Sequence, residues 1–226
     1  MKQKKSRLMI AAVAVILLAV LISSAIGKYV TTVSVPGKVT FTAKLAGGMV
    51  LQEHKAERNA DGSYTLTGQI ATADENGYFN GYDLIPGLDI PKDPHIVITG
   101  KTDVKAYLFV EVVENGDVGL QDKVITYAMT NDWLKLTGTG KNGGTVYVYK
   151  GTGTSGKALD HNIGSPWTVQ ILAPLAEDNN NHIRVSQKLI TTGSTGDDML
   201  TFYASMGEAA MGASPTEVYK TMHNIT

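Results

Sequence analysis

Residues 151–158 read GTGTSGKA. Gly151, four further residues, Gly156 and Lys157 have the spacing of a phosphate-binding loop. Such a loop needs backbone amides at a helix N-terminus to face the phosphates, and a Ser or Thr after the lysine to hold magnesium. Ala158 stands where that hydroxyl belongs, and residues 158–166 (ALDHNIGSP) break before two helical turns could form. A strand does precede the loop, but Tyr147 and Tyr149 suit an antiparallel hairpin arm better than a buried parallel strand. Glycines in a β-protein loop, with Lys157 as a solvated charge, are therefore the expected reading.

The histidines are His54, His95, His161, His182 and His223. No two lie three or four residues apart, which excludes a zinc site carried on a helix, although scattered histidines can still converge in space. The chain has no Gly-x-Ser-x-Gly elbow. Asp197 and Asp198 sit in a glycine-rich turn and read as solvated. Asp178 with Asn179, Asn180 and Asn181 offers oxygen ligands for calcium, but the glycine-spaced calcium loop is missing. With no cysteine, thiol catalysis and cysteine zinc sites are excluded. The expectation is a protein that is not an enzyme, with no catalytic residue, no cofactor and no metal ligand.

The elements that would position any site read as β almost throughout. Residues 39–45 (VTFTAKL) and 64–70 (YTLTGQI) alternate apolar and polar with period two. Strands are also expected at 96–99, 106–113, 124–129, 145–149, 167–172, 183–190 and 200–206, separated by turn signals such as Asp61-Gly62, Pro86-Gly87 and Asn142-Gly143-Gly144. Ser214-Pro215-Thr216-Glu217 is a capping box with proline at the first helical position, opening a short helix through Met222. A further helical turn is expected over 208–211. The fold class is therefore all-β, an antiparallel sandwich with one short C-terminal helix.

The first 27 residues differ from the rest. Lys2, Lys4, Lys5 and Arg7 precede an apolar run over residues 8–22, and Ala25-x-Gly27 fits the small-x-small cleavage rule, which predicts a mature start at Lys28. An apolar run of this length is short for a permanent span, so membrane contact is expected only through the leader before cleavage. Without the leader the chain carries 16 basic and 21 acidic residues, a net charge of −5. That disfavours nucleic acid, which requires a positive footprint. The expected organisation is a signal peptide over 1–27, an extended segment over 28–36, and one sandwich domain over 37–226 with a Gly/Thr-rich insert at about 137–165.

Three stretches carry a resemblance. They are IGKYVTT at 26–32 with VTFTAKL at 39–45; LIPG at 84–87 with IVITGKT at 96–102 and AYLFV at 106–110; and LTFYASM at 200–206 with the capped helix. In this order they resemble exported Firmicutes proteins with SipW-type signal peptides, the family of the TasA biofilm fibre protein and camelysin. The resemblance implies a secreted jelly-roll subunit, processed by signal peptidase and polymerising with itself as a matrix or cell-surface fibre. In such fibres the segment after the leader pairs with an open edge of the next subunit. Here that segment is 28–35, where Tyr29, Val33 and Val35 share one face if it is extended. The other possibility is that it folds back as the protein's own first strand. The peptidase activity described for camelysin is not implied, because no zinc motif is present. Alternatives are a monomeric adhesion module using Tyr147, Tyr149 and Trp167, or an extracellular peptidase.

Overall fold

The computed structural model describes residues 31–35, 48–72, 79–82, 85–99, 105–115, 125–159, 166–176, 179–186, 199–209 and 211–226. The expected cleavage residues Ala25, Gly27 and Lys28, the residue Tyr29, and the strand expected at 39–45 lie outside them. The described chain is antiparallel β-structure followed by one helix, as the alternation predicts.

The largest sheet runs β1 (Thr31–Val35), β14 (Met199–Glu208), β7 (Ala106–Asn115), β10 (Thr145–Tyr149), β9 (Trp133–Thr139). The two-residue β11 (Ala158–Leu159) pairs with β7 beyond the end of β10. A second sheet is β12 (Trp167–Gln170), β6 (His95–Ile98) and β2 (Met49–Gln52). A third is β5 (Asp89–Ile90), β13 (Ile183–Val185) and β8 (Ile125–Tyr127). A bridge between Met129 and Leu172 joins the second and third sheets into one layer. β3 (His54–Arg58) and β4 (Tyr64–Ile70) form a separate hairpin.

The main core lies between these layers. Leu108, Val110 and Val112 of β7 and Phe202, Ala204 and Met206 of β14 meet Met49 and Leu51 of β2, Ile96 and Ile98 of β6, and Ile183 and Val185 of β13. Period-two alternation turns the intervening residues of β7 to the other face of the same sheet. There Phe109 packs with Val146 and Val148 of β10 under helix α1 (Pro215–His223), which contributes Val218 and Tyr219. This second face explains why β7 reads as apolar nearly throughout: it is buried on both sides. Each of these buried large side chains contributes roughly 1.5–3 kcal/mol. The capping box forms as expected. Ser214 Oγ accepts from Glu217 N at 3.3 Å, and Glu217 Oε2 accepts from Ser214 N at 2.7 Å.

Under the helix, Glu111 organises three segments. Its Oε1 accepts from Asn142 N at 2.7 Å and Gly144 N at 2.9 Å, and its Oε2 accepts from Asn142 Nδ2 at 2.8 Å and the Tyr219 hydroxyl at 2.9 Å. The β9–β10 turn can come this close only with glycine. A Cβ at Gly140 would run into the Glu111 carboxyl, and one at Gly144 into the Val112 carbonyl.

One expectation is revised. Glu208 ends β14 instead of starting a helical turn, because Gly207 and Glu208 continue the ladder opposite Tyr107 and Ala106; Met211 and Gly212 then form a turn. Residues 137–159 supply the end of β9, β10 and β11 to the largest sheet.

Candidate functional site

Residues 151–158 do not form a phosphate cradle. The strand before them, β10, pairs antiparallel with both β7 and β9. Lys157 N donates to Tyr149 O at 2.8 Å, and Ala158 begins strand β11 where a nucleotide loop would begin its helix. Gly156 is pressed against Pro215 and Val148, and a Cβ there would meet Pro215 Cγ at 2.6 Å. Gly156 serves close packing beneath the start of α1, while Gly151 takes a left-handed turn conformation at φ 55° beside Tyr149.

The aromatic residues weighed as an adhesion platform are built into the sandwich edge. Tyr149 meets Trp167 edge-on at 5.0 Å between ring centroids and Trp133 at 5.9 Å. Tyr147, Tyr149 and Trp167 are half-buried against the main core. Burial pushes the Tyr147 and Tyr149 hydroxyls up from their ordinary range, with Glu114 and Asp132 respectively adding to the effect.

The convergence of chemistry-bearing groups lies elsewhere, where β2 and β6 run out into the neighbouring segments. In their ladder Met49 faces Ile98, Leu51 faces Ile96 and Gln52 faces His95. Each step forward on β2 is a step back on β6, so two places past the ladder His54 comes opposite Asp93. The contacts bear this out: Asp93 Oδ1 accepts from His54 N at 2.9 Å, and Asp93 Oδ2 lies 2.5 Å from His54 Nδ1. Residues two apart share a face of a strand, so His54, Asp93 and His95 gather on the face opposite Met49, Leu51, Ile96 and Ile98. The two imidazoles stack, with centroids 5.2 Å apart and planes 30° from parallel. One nitrogen of each ring and one Asp93 oxygen all lie within 4.8 Å of one another.

A polar frame holds this cluster. Glu53 is only 2% exposed, and its Oε2 meets Lys92 Nζ at 2.8 Å. Its Oε1 accepts from Asn80 Nδ2 at 2.9 Å. Asn80 uses its whole amide: Nδ2 also donates to the His54 carbonyl at 2.9 Å, and Oδ1 accepts from Ala56 N at 3.1 Å. These bonds fix the irregularity in the β3–β4 ladder between His54 and Ala56. His95 Nδ1 sits 3.0 Å from the Asp93 carbonyl. Because a carbonyl only accepts, Nδ1 carries the hydrogen, which in the neutral ring leaves the lone pair on Nε2. Tyr82 reaches the Pro91 carbonyl at 3.3 Å, and burial pushes its hydroxyl well above the ordinary range, helped by the Glu53 and Asp93 carboxylates. His182 is 6% exposed, and its Nδ1 has no hydrogen-bond partner among the described residues. Burial lowers its pKa, against an upward pull from Asp93 and from the Asn180 backbone.

In the sequence His54 and His95 stand as isolated histidines, and nothing singles out Asp93. Their separations of 39 and 41 positions carry no local signal. The available clue is indirect: a β2 strand (MVLQ) ending two residues before a histidine, and a β6 strand beginning with one.

Comparisons with protein-family models, characterised proteins and solved structures return no match to this chain. Among the described residues, no helix is long and apolar enough to cross a membrane.

Proposed function

We propose that the chain is an exported, non-enzymatic structural subunit of a cell-surface or biofilm matrix fibre, joined to its neighbour by an N-terminal donor strand. The observation that carries this reading is the position of β1. It lies at the edge of the largest sheet and, among the described residues, pairs only with β14 of its own chain, antiparallel, with Thr31 opposite Met206, Val33 opposite Ala204 and Val35 opposite Phe202. A strand held by a single ladder can be exchanged between copies at low cost, because the same backbone bonds form in the neighbour. A head-to-tail exchange that does not close produces a filament. The segment is also the one singled out by the resemblance to the TasA and camelysin family.

The test uses two single variants, Ser34→Cys and Tyr203→Cys, since these positions are paired across the β1–β14 ladder and the chain has no other cysteine. Mixed and oxidised, the two variants are expected to give a disulfide between chains, and the secreted protein to form filaments visible by electron microscopy. Deleting residues 28–35 should leave folded monomers. If the intact secreted protein stays monomeric at high concentration and no mixed disulfide forms, the subunit reading fails and a monomeric extracellular binding module replaces it.

A further inference from the structure

We propose that His54, Asp93 and His95 bind a divalent transition-metal ion of borderline softness, with zinc as the representative. The proposal is independent of fibre assembly, since all three residues belong to one chain.

The donor set selects the class of ion. Two imidazoles and one carboxylate suit zinc, nickel or copper, whereas calcium and magnesium require mostly oxygen ligands. Three protein ligands leave a position for water, the pattern of an open zinc site. The size is also close. Ligands about 2.1 Å from zinc stand roughly 3.4 Å apart in a tetrahedron. The present spread is at most 4.8 Å. The widest pair must therefore close by no more than about 1.4 Å, a movement within reach of the His54 ring, whose side chain is 34% exposed. That exposure also provides the way in.

The surroundings are those of a ligand set held in advance. Metal-binding histidines usually donate the other ring N–H to a carbonyl or carboxylate, which fixes the ring and its free lone pair. His95 does this through the Asp93 carbonyl. His54 and Asp93 are at present joined through a proton between Nδ1 and Oδ2. The ion takes that proton's place; the proton moves to Nε2 of a neutral ring, or leaves to solvent from a ring already protonated there, so that Nε2 carries the imidazole's hydrogen. The nearby ammonium of Lys92 is already paired with Glu53, so it opposes the incoming charge little. Asn80 holds the His54 backbone in place through its carbonyl.

The experiment titrates chelator-stripped protein with zinc, magnesium or calcium alone. Zinc is expected to bind with one equivalent per chain and to raise the thermal midpoint, while magnesium and calcium at the same concentration do neither. His54→Gln should weaken zinc binding by about tenfold or more with an unchanged circular dichroism spectrum. Should that variant fail to fold, imidazole NMR of the wild-type protein gives the answer. The His54 and His95 signals should shift within the first equivalent, ahead of those of His161, His182 and His223. No stoichiometric zinc binding, equal binding of calcium or magnesium, unchanged affinity in a folded His54→Gln, or earlier shifts at the other histidines would each overturn the assignment.

Discussion

Glu111 and Asp93 are both buried carboxyl groups on β-structure, at 2% and 7% exposure, and they are satisfied in different ways. Glu111 accepts four hydrogen bonds, from two backbone amides, an asparagine side chain and a tyrosine hydroxyl, drawn from the β9–β10 turn and from α1. Glycines at 140 and 144 are packed against it and against its own strand, so the site has no room for a ligand. Asp93 is bonded on one side to His54, carries His95 on its own carbonyl, and opens to solvent past the His54 ring. The first arrangement consumes every donor in holding the helix to the sheet. The second gathers groups with lone pairs and leaves an approach to them. A buried carboxyl group therefore marks a candidate site only when its neighbours retain unused bonding capacity.

The largest expected effect comes from breaking the closed region. Glu111→Gln replaces one acceptor oxygen with an amide NH2 that faces hydrogen-bond donors, leaving buried donors unpaired. The expected loss is about 3–5 kcal/mol, read from the urea midpoint. A loss under about 1 kcal/mol would mean that Glu111 is not the link described here.

An intermediate effect is expected from acid. Burial lowers the pKa of His223 to about 4, with the Lys141 charge acting in the same direction and Glu111 against it. The ring also lies 4.5 Å from that of Tyr219. The unfolded chain takes up a proton near the ordinary value of 6.5, which the folded chain refuses until about 4. This contribution to stability is therefore present above pH 6.5 and is lost as the pH falls towards 4. Because the ring is only partly buried, about 1–2 kcal/mol is expected across that window. Urea midpoints at several pH values should fall less steeply for His223→Gln than for the wild type; parallel slopes would remove the histidine from this account.

The smallest effect is expected in the open region. With metal absent, His54→Gln should cost under about 1 kcal/mol, because the side chain is one-third exposed and the backbone bond from His54 N to Asp93 is retained. A loss as large as that for Glu111→Gln would make the cluster a second structural clamp and erase the distinction between the two regions.

Legibility followed the range of the interaction. Residues 64–70 and 145–149 were expected as strands with the bounds they have, because alternation is a property of neighbours. The Ser214–Glu217 capping box is equally local and forms as read. β3 (HKAER) was missed because its residues are half-buried or exposed, which leaves no apolar alternation to read. β5 and β11, at two residues each, are too short to show a pattern.

The amino-acid sequence by itself determined the β class, the helix and its cap, and the absence of a nucleotide loop at 151–158, because each follows from contacts within a few residues along the chain. Which histidine meets which carboxyl group was decided only in the tertiary structure. The meeting of His54 with Asp93 and His95 depends on the register of β2 against β6, and the four donors around Glu111 depend on β7, a distant turn and the last helix coming together. A register is chosen by how whole faces bury against each other. A one-residue slip would leave every local pattern intact and take the cluster apart.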